Sequence, residues 1–212
     1  MIVEAKICGV ISADAVAAAA KGGSRFVGFV FYAPSPRNLA IEAARTLASV
    51  VPPSIQKVGL FVDAANEAIA QVLNEVPLDC LQLHGEESPA RVKAIRERFG
   101  LPVMKAIRIG ARLDIEKAAT YLNVADRLLF DALGPDGGPP GGTGQSFEWE
   151  WLLGHDWPLP WMLSGGLNAS NVADAVRRSG SRAVDVSSGV EDKPGHKDPG
   201  QIAEFLLAIT DL

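Results

Sequence analysis

Near the amino terminus the run Lys6-Ile7-Cys8-Gly9 puts a thiol at the end of a short apolar strand, beside a residue that lets the backbone turn away. A cysteine there is either a small hydrophobe packed in a core or a reactive group at the carboxyl end of a strand, where α/β enzymes keep their chemistry. Asp131 offers the complementary group. It ends a later strand, with Phe130 before it and the run Gly137-Gly138-Pro139-Pro140-Gly141-Gly142-Thr143-Gly144 after it. A lone aspartate can simply cap a turn. Desolvated under a loop it tends instead towards the neutral acid, the form that a general acid needs. A thiolate base and a carboxylic acid together would carry out proton transfer, and Lys6, on the same strand face as Cys8, is a source of positive field for the thiolate.

Three further signals surround this pair. Leu163-Ser164-Gly165-Gly166-Leu167 and Val186-Ser187-Ser188-Gly189 each end a strand in glycine, where bare backbone N–H groups can approach an anion. Arg37 lies in Phe31-Tyr32-Ala33-Pro34-Ser35-Pro36-Arg37, where two prolines stiffen the chain and hold a guanidinium ready for a carboxylate. His84, in Gln82-Leu83-His84-Gly85, also ends a strand, and either a substrate contact or a structural hydrogen bond would explain it. Cys80 is mid-strand and reads as core.

These residues need elements to carry them. Apolar, β-branched runs at 2–8, 26–31, 57–62, 79–83, 102–107, 127–131, 161–164 and 184–187 read as strands. Helix-like segments at 12–21, 39–50, 66–75, 88–99, 114–122, 147–153, 170–178 and 199–209 alternate with them. Ser88-Pro89 and Asp198-Pro199 mark helix starts, Asn168 or Ser170 can cap another, and Gly22-Gly23, Gly100 and Gly180 mark helix ends. Strand starts spaced by roughly 22–34 residues suit strand–loop–helix units, and eight of them fit a (β/α)8 barrel, with an open doubly wound sheet as the rival.

Strand parity favours the barrel. Val3, Ala5 and Ile7 oppose Glu4, Lys6 and Cys8; Leu81 and Leu83 oppose Cys80, Gln82 and His84; Leu128 and Phe130 oppose Arg127, Leu129 and Asp131. One side is apolar, and the other turns polar towards the strand's end, as a barrel with a site at its mouth requires. Internal strands of an open sheet are more often apolar on both faces. Phosphate commonly binds after the seventh and eighth barrel strands, where both glycine turns fall. The stretch from Asp131 to Ser146 reads as an active-site loop.

Composition narrows the partners. The 212 residues are 48% hydrophobic and 21% charged, with a formal net charge of −5. No basic cluster is present, which argues against nucleic acid. No apolar stretch reaches the ~18 residues of a membrane-spanning helix. The first strand leaves no room for a signal peptide, and the two cysteines, Cys8 and Cys80, lie in apolar strand-like runs that argue against a disulfide, so a cytoplasmic protein is expected. There is no H-E-x-x-H, Walker A loop or Rossmann fingerprint, so neither a metal nor a nucleotide cofactor is indicated. The expected partner is a small phosphorylated substrate, bound by a monomer or a homodimer.

Taken together, these runs resemble the phosphoribosylanthranilate isomerase family of tryptophan biosynthesis. The resemblance is carried by Lys6-Ile7-Cys8-Gly9, Gly28-Phe29-Val30-Phe31 through Ser35-Pro36-Arg37, and Val58-Gly59-Leu60-Phe61-Val62. It continues through Leu81-Gln82-Leu83-His84-Gly85, Gly141-Gly142-Thr143-Gly144, Leu163 to Asn168 and Asp185 to Glu191. It implies a single (β/α)8 TIM barrel spanning residues 1–212 and a cofactor-free Amadori rearrangement of N-(5-phosphoribosyl)anthranilate. Asp131 would be the acid and Cys8 the base. Arg37 would hold the anthranilate carboxylate, and Gly165, Gly166, Ser188 and Gly189 the phosphate, with His84 and Gly144 as further substrate-binding residues. Val10-Ile11 and Ala132-Leu133 depart from the residues frequent in the family, which bears on loop details. Two rivals stand beside this reading: the related histidine-pathway aminoaldose phosphate isomerase, whose base is an aspartate where this chain has Cys8, and a phosphosugar-binding barrel without activity.

Overall fold

A computed structural model of the chain describes residues 3–134, 141–210 and 212. Eight parallel strands close into a barrel: β1 (Glu4–Cys8), β2 (Phe26–Val30), β3 (Gln56–Phe61), β4 (Cys80–Leu83), β5 (Val103–Ile109), β6 (Arg127–Ala132), β7 (Trp161–Leu163) and β8 (Ala183–Val186). The pairing of β8 with β1 completes the ring. The rival open sheet is thereby excluded. Residue 2 of the first expected strand lies outside the described residues, as do residues 135–140 of the glycine-rich loop.

Alternation along each strand sorts side chains between two cores, because successive Cβ atoms point to opposite faces. Outward residues such as Ile7, Leu81, Leu83, Leu128 and Phe130 join the layer beneath the helices. Inward residues fill the barrel's lower half with Phe26, Val58, Cys80, Met104, Leu129 and Met162. This apolar plug closes the bottom, so polar inward groups can be used only above it. Each fully buried large apolar side chain contributes about 1.5–3 kcal/mol to stability.

The outer layer contains α1 (Ala13–Lys21), α2 (Ile41–Val50), α3 (Asn66–Glu75), α4 (Pro89–Phe99), α5 (Val172–Ser179) and α6 (Pro199–Ile209). Ser12, Ser88 and Asp198 cap α1, α4 and α6 by accepting backbone N–H bonds, while Gly100 and Gly180 end α4 and α5 in the left-handed conformation. Gly22, by contrast, closes α1 in a right-handed conformation.

Three local expectations are corrected. Residues 112–121 and 149–152 form 3-10 rather than α-helical runs. Their buried pairs, Ile115 with Ala118 and Trp149 with Leu152, are three apart, the repeat that stacks side chains in a 3-10 helix. Neither Asn168 nor Ser170 caps α5. The cap position is Asn171, whose side chain instead ties the preceding turn through Asn168 N and Gly166 O. After β8 the chain makes a 3-10 turn at Ser188–Val190 and a small hairpin, β9 (Glu191–Lys193) and β10 (His196–Lys197). Pro194-Gly195 was the available turn signal for this hairpin, with Gly195 at φ +85°.

Candidate active site

At the carboxyl end of the barrel the upward-turning inner residues surround a small cavity that opens to solvent. Cys8 from β1, Asp131 from β6, His84 from the end of β4 and Arg37 from the segment after β2 all line it. The tertiary structure therefore brings together four of the residues singled out in the sequence, from separations of up to 123 positions. No helix among the described residues is long and apolar enough to cross a membrane. No cluster of His, Cys, Asp and Glu among them is placed to hold a metal ion.

Asp131 is buried and held by a short relay. The Gln82 amide nitrogen lies 2.8 Å from His84 Nδ1, and His84 Nε2 lies 3.0 Å from Asp131 Oδ2. With Gln82 donating, Nδ1 is the acceptor and Nε2–H donates to the carboxylate, stabilising the charge that Asp131 acquires on releasing a proton. Gln82 and His84 meet because they are two apart on one strand and point into the same barrel face. Their strand end is fixed by buried Lys105. Its ammonium contacts the carbonyls of Leu83 and Gly85, on either side of His84, and pairs with Glu87 Oε2 at 2.8 Å. Gly141 lies over this pair; with φ +79° it is in a glycine region, and a Cβ there would come within 3.3 Å of Asp131 Oδ2.

Cys8 sits on the other side of the cavity among charges. Burial pushes its thiol above the ordinary range; Lys6 opposes that shift, Asp185 reinforces it, and Lys197 opposes it more weakly. Cys80, in the apolar plug, is pushed up to about 12 by burial. Both cysteines are free.

Arg37 is 8% exposed and is partly spoken for. Its Nε and Nη2 bind Glu191 at 2.7 and 2.8 Å, and Nη2 also reaches Gly142 O at 3.3 Å. Glu191 in turn pairs with Lys197, whose ammonium donates to Ser187 O and Oγ. Burial alone would raise the Glu191 carboxyl; the Arg37 hydrogen bonds and the Lys197 charge outweigh it and hold the carboxyl below its usual range. Gly9, at φ +77°, has no side chain in the way of the Arg37 stem; a Cβ there would meet Arg37 Cδ at 2.6 Å.

A second, small pocket adjoins the first and shares Asp131, Ser164 and Asp185 with it. Gly144, Gly165, Gly166 and Ser188 line it. Gly165 and Gly166 have φ of +94° and +64°, and Gly144 has +74°, so this wall is built from bare backbone in conformations that other residues rarely adopt. Gly189, expected at this site, does not line the pocket; a Cβ on it would run into the Leu167 carbonyl, so the turn has no room for a side chain there.

An acid, a thiol, an arginine and a bare-backbone pocket thus meet in one barrel mouth. A family model described as N-(5'phosphoribosyl)anthranilate (PRA) isomerase matches residues 5–208. The chain belongs to this isomerase family. The N-(5'-phosphoribosyl)anthranilate isomerase of Rhodospirillum centenum is 55% identical, with the whole of both chains covered. Among solved structures, the phosphoribosyl anthranilate isomerase of Thermotoga maritima is 36% identical with a TM-score of 0.88, again covering both chains fully. A phosphoribosyl anthranilate isomerase crystallised with reduced 1-(o-carboxyphenylamino)-1-deoxyribulose 5-phosphate is 35% identical with a TM-score of 0.87.

For a member of this isomerase family the sequence reading missed the groups that hold the others. Gln82, Lys105, Asp185, Glu191 and Lys197 are charged or polar residues within apolar or hairpin segments; Gln82 meets His84 two residues on, and the other four acquire partners from another strand or loop. The signal available was their placement on strands that are otherwise buried, since Lys6, Gln82, Lys105 and Asp185 are nearly inaccessible.

Proposed function

We propose that the protein catalyses the Amadori rearrangement of N-(5-phosphoribosyl)anthranilate to 1-(2-carboxyphenylamino)-1-deoxyribulose 5-phosphate. Family membership over residues 5–208 supports the reaction, and the convergence of Cys8 and Asp131 on one cavity supports its chemistry. Asp131 protonates the furanose ring oxygen; the C1–O bond breaks and the anilino nitrogen's electron pair forms a C1=N iminium. Cys8, as thiolate, then removes the C2 proton. The C2–H electron pair becomes the C1=C2 bond of an enolamine, and protonation at C1 with loss of the C2 hydroxyl proton leaves the ketone. C1 is reduced and C2 oxidised within one molecule, so no external oxidant or reductant takes part.

The iminium is what allows a thiolate to serve as base, because the adjacent C–H is acidified by the positive nitrogen. His84 steadies Asp131 before and after proton release. Arg37 offers its remaining edge to the anthranilate carboxylate, and the pocket between Gly144, Gly165, Gly166 and Ser188 offers backbone N–H groups to the phosphate. A thiol in place of an aspartate at the end of β1 favours this substrate over the histidine-pathway aminoaldose.

The test follows loss of the substrate's anthranilate fluorescence with purified protein. Cys8→Ala and Asp131→Asn should each lower kcat at least ~100-fold, the scale of a missing acid or base. Turnover within tenfold of the parent in either variant would remove that residue from its role, and no turnover by the parent chain would favour a binding protein.

A further inference from the structure

Beneath Cys8 lies a charged pair that the reaction as described does not use. Lys6 is fully buried, and its Nζ lies 2.9 Å from Asp185 Oδ1. Strand register sets up this encounter: Lys6 on β1 is paired with Asp185 on β8, so both point into the barrel at one level. One level higher, Cys8 is paired with Gly28 on β2. Gly28 contributes no side chain to the interior, and what occupies the vacated space is informative. A Cβ built on Gly28 would lie 3.0 Å from Cys8 Sγ and 3.2 Å from Lys6 Nζ, so the thiol and the ammonium both crowd the same point.

A fully buried lysine is costly unless its charge is matched. One carboxylate matches it, but the ammonium has three donors, and Asp185 is the only protein group hydrogen-bonded to it among the described residues. Asp185 is itself divided, with Oδ2 accepting from Ser164 Oγ at 3.3 Å. An ammonium paired to a carboxylate and crowding the same point as a sulfur is suited to sharing its field with whichever becomes negative. We infer that Lys6, anchored by Asp185 and admitted by the bare Gly28 position, is a positioning residue that favours the thiolate of Cys8. This inference rests on Cys8 being the base.

Other charges also face the thiol. Lys197 from β10 adds a weaker positive contribution, and Asp185 from β8 opposes ionisation. Arg37, His84 and Asp131 line the same cavity from the β2, β4 and β6 ends. Lys6 differs from these in sharing Cys8's strand and the Gly28 space. Burial pushes the thiol up, and Lys6 limits how far.

The experiment is an NMR pH titration of protein carrying 13Cβ-labelled cysteine, with Cys80 in the apolar plug as an internal reference. Lys6→Met alone would leave Asp185 as an unpaired buried charge, so the double variant Lys6→Met/Asp185→Asn removes both charges together. The Cys8 midpoint should rise in the double variant by about one unit, a tenfold loss of thiolate at fixed pH. In Asp185→Asn alone it should fall, because the ammonium is then left to the sulfur. The acid-side limb of kcat/KM should move with each midpoint. A double-variant midpoint at or below the parent's would overturn the inference, as would an unchanged or raised midpoint in Asp185→Asn. Should the double variant fail to fold, Asp185→Asn decides the matter. Full turnover by Cys8→Ala would instead remove the base assignment while leaving the measured midpoints as they are, so the two failures are distinguishable.

Discussion

Replacing Arg37 by alanine gives the sharpest expectation about binding. The guanidinium has two edges, and the fold has already used one: Nε and Nη2 face Glu191 at 2.7 and 2.8 Å, with Gly142 O taking a further Nη2 contact at 3.3 Å. A substrate carboxylate is left with Nη1, which permits one charge-assisted hydrogen bond rather than a bidentate fork. Such a bond contributes about 1.5–3 kcal/mol. That converts to a rise in KM of roughly 10–150-fold. Removing Arg37 does not strand Glu191, because Lys197 still pairs with it, so the fold should survive. With proton transfer assigned in our proposal to Cys8 and Asp131, kcat should change by less than ~10-fold, below the scale of a lost acid or base. Arg37→Lys should recover little, since a point charge cannot serve Glu191 and a carboxylate in the geometry of a planar fork. Steady-state kinetics by anthranilate fluorescence separate the two parameters, with thermal melts checking the fold. A KM within about threefold of the parent, against the ~10-fold minimum expected from one charge-assisted bond, would refute the placement of the carboxylate on Arg37.

Three other outcomes follow from the geometry. Because burial raises the Cys8 thiol and its thiolate is the proposed base, kcat/KM should climb towards tenfold per pH unit between about pH 7 and 8.5. A flat profile over that interval would contradict a raised thiol as base. Gly165→Ala should lower stability by at least ~1 kcal/mol for the left-handed conformation alone. Its new Cβ, 2.7 Å from Ala132 N, should also weaken inhibition by inorganic phosphate; an unchanged inhibition constant would take this turn out of the phosphate site. Lys105→Met leaves the Glu87 carboxylate buried without its cation, at a cost of about 3–5 kcal/mol. Calorimetry should show Tm falling by about 10 °C, and a shift below about 2 °C would mean that the pair does not hold the β4 end.

Much of this molecule is written locally in its chain. Alternation such as Lys6-Ile7-Cys8 assigns side chains to the barrel's inner and outer faces, because the strand's two-residue period is a property of backbone geometry. Ser88-Pro89 and Asp198-Pro199 begin helices for equally local reasons. Cys8 and Asp131 stood out because a polar residue ending an apolar strand needs an explanation. The 3-10 runs at 112–121 and 149–152 were not legible, since short helices take their form from what they pack on. Closure was not legible either: the β8–β1 pairing joins residues about 180 apart, and periodicity is indifferent to whether a sheet closes. That closure set Asp185 beside Lys6, put His84 against Asp131, and brought Glu191 onto Arg37. Residue types alone determined which groups could do chemistry. Only the tertiary structure decided which of them face one another, because charge and hydrogen bonding act over a few ångströms of space, whatever the distance along the chain.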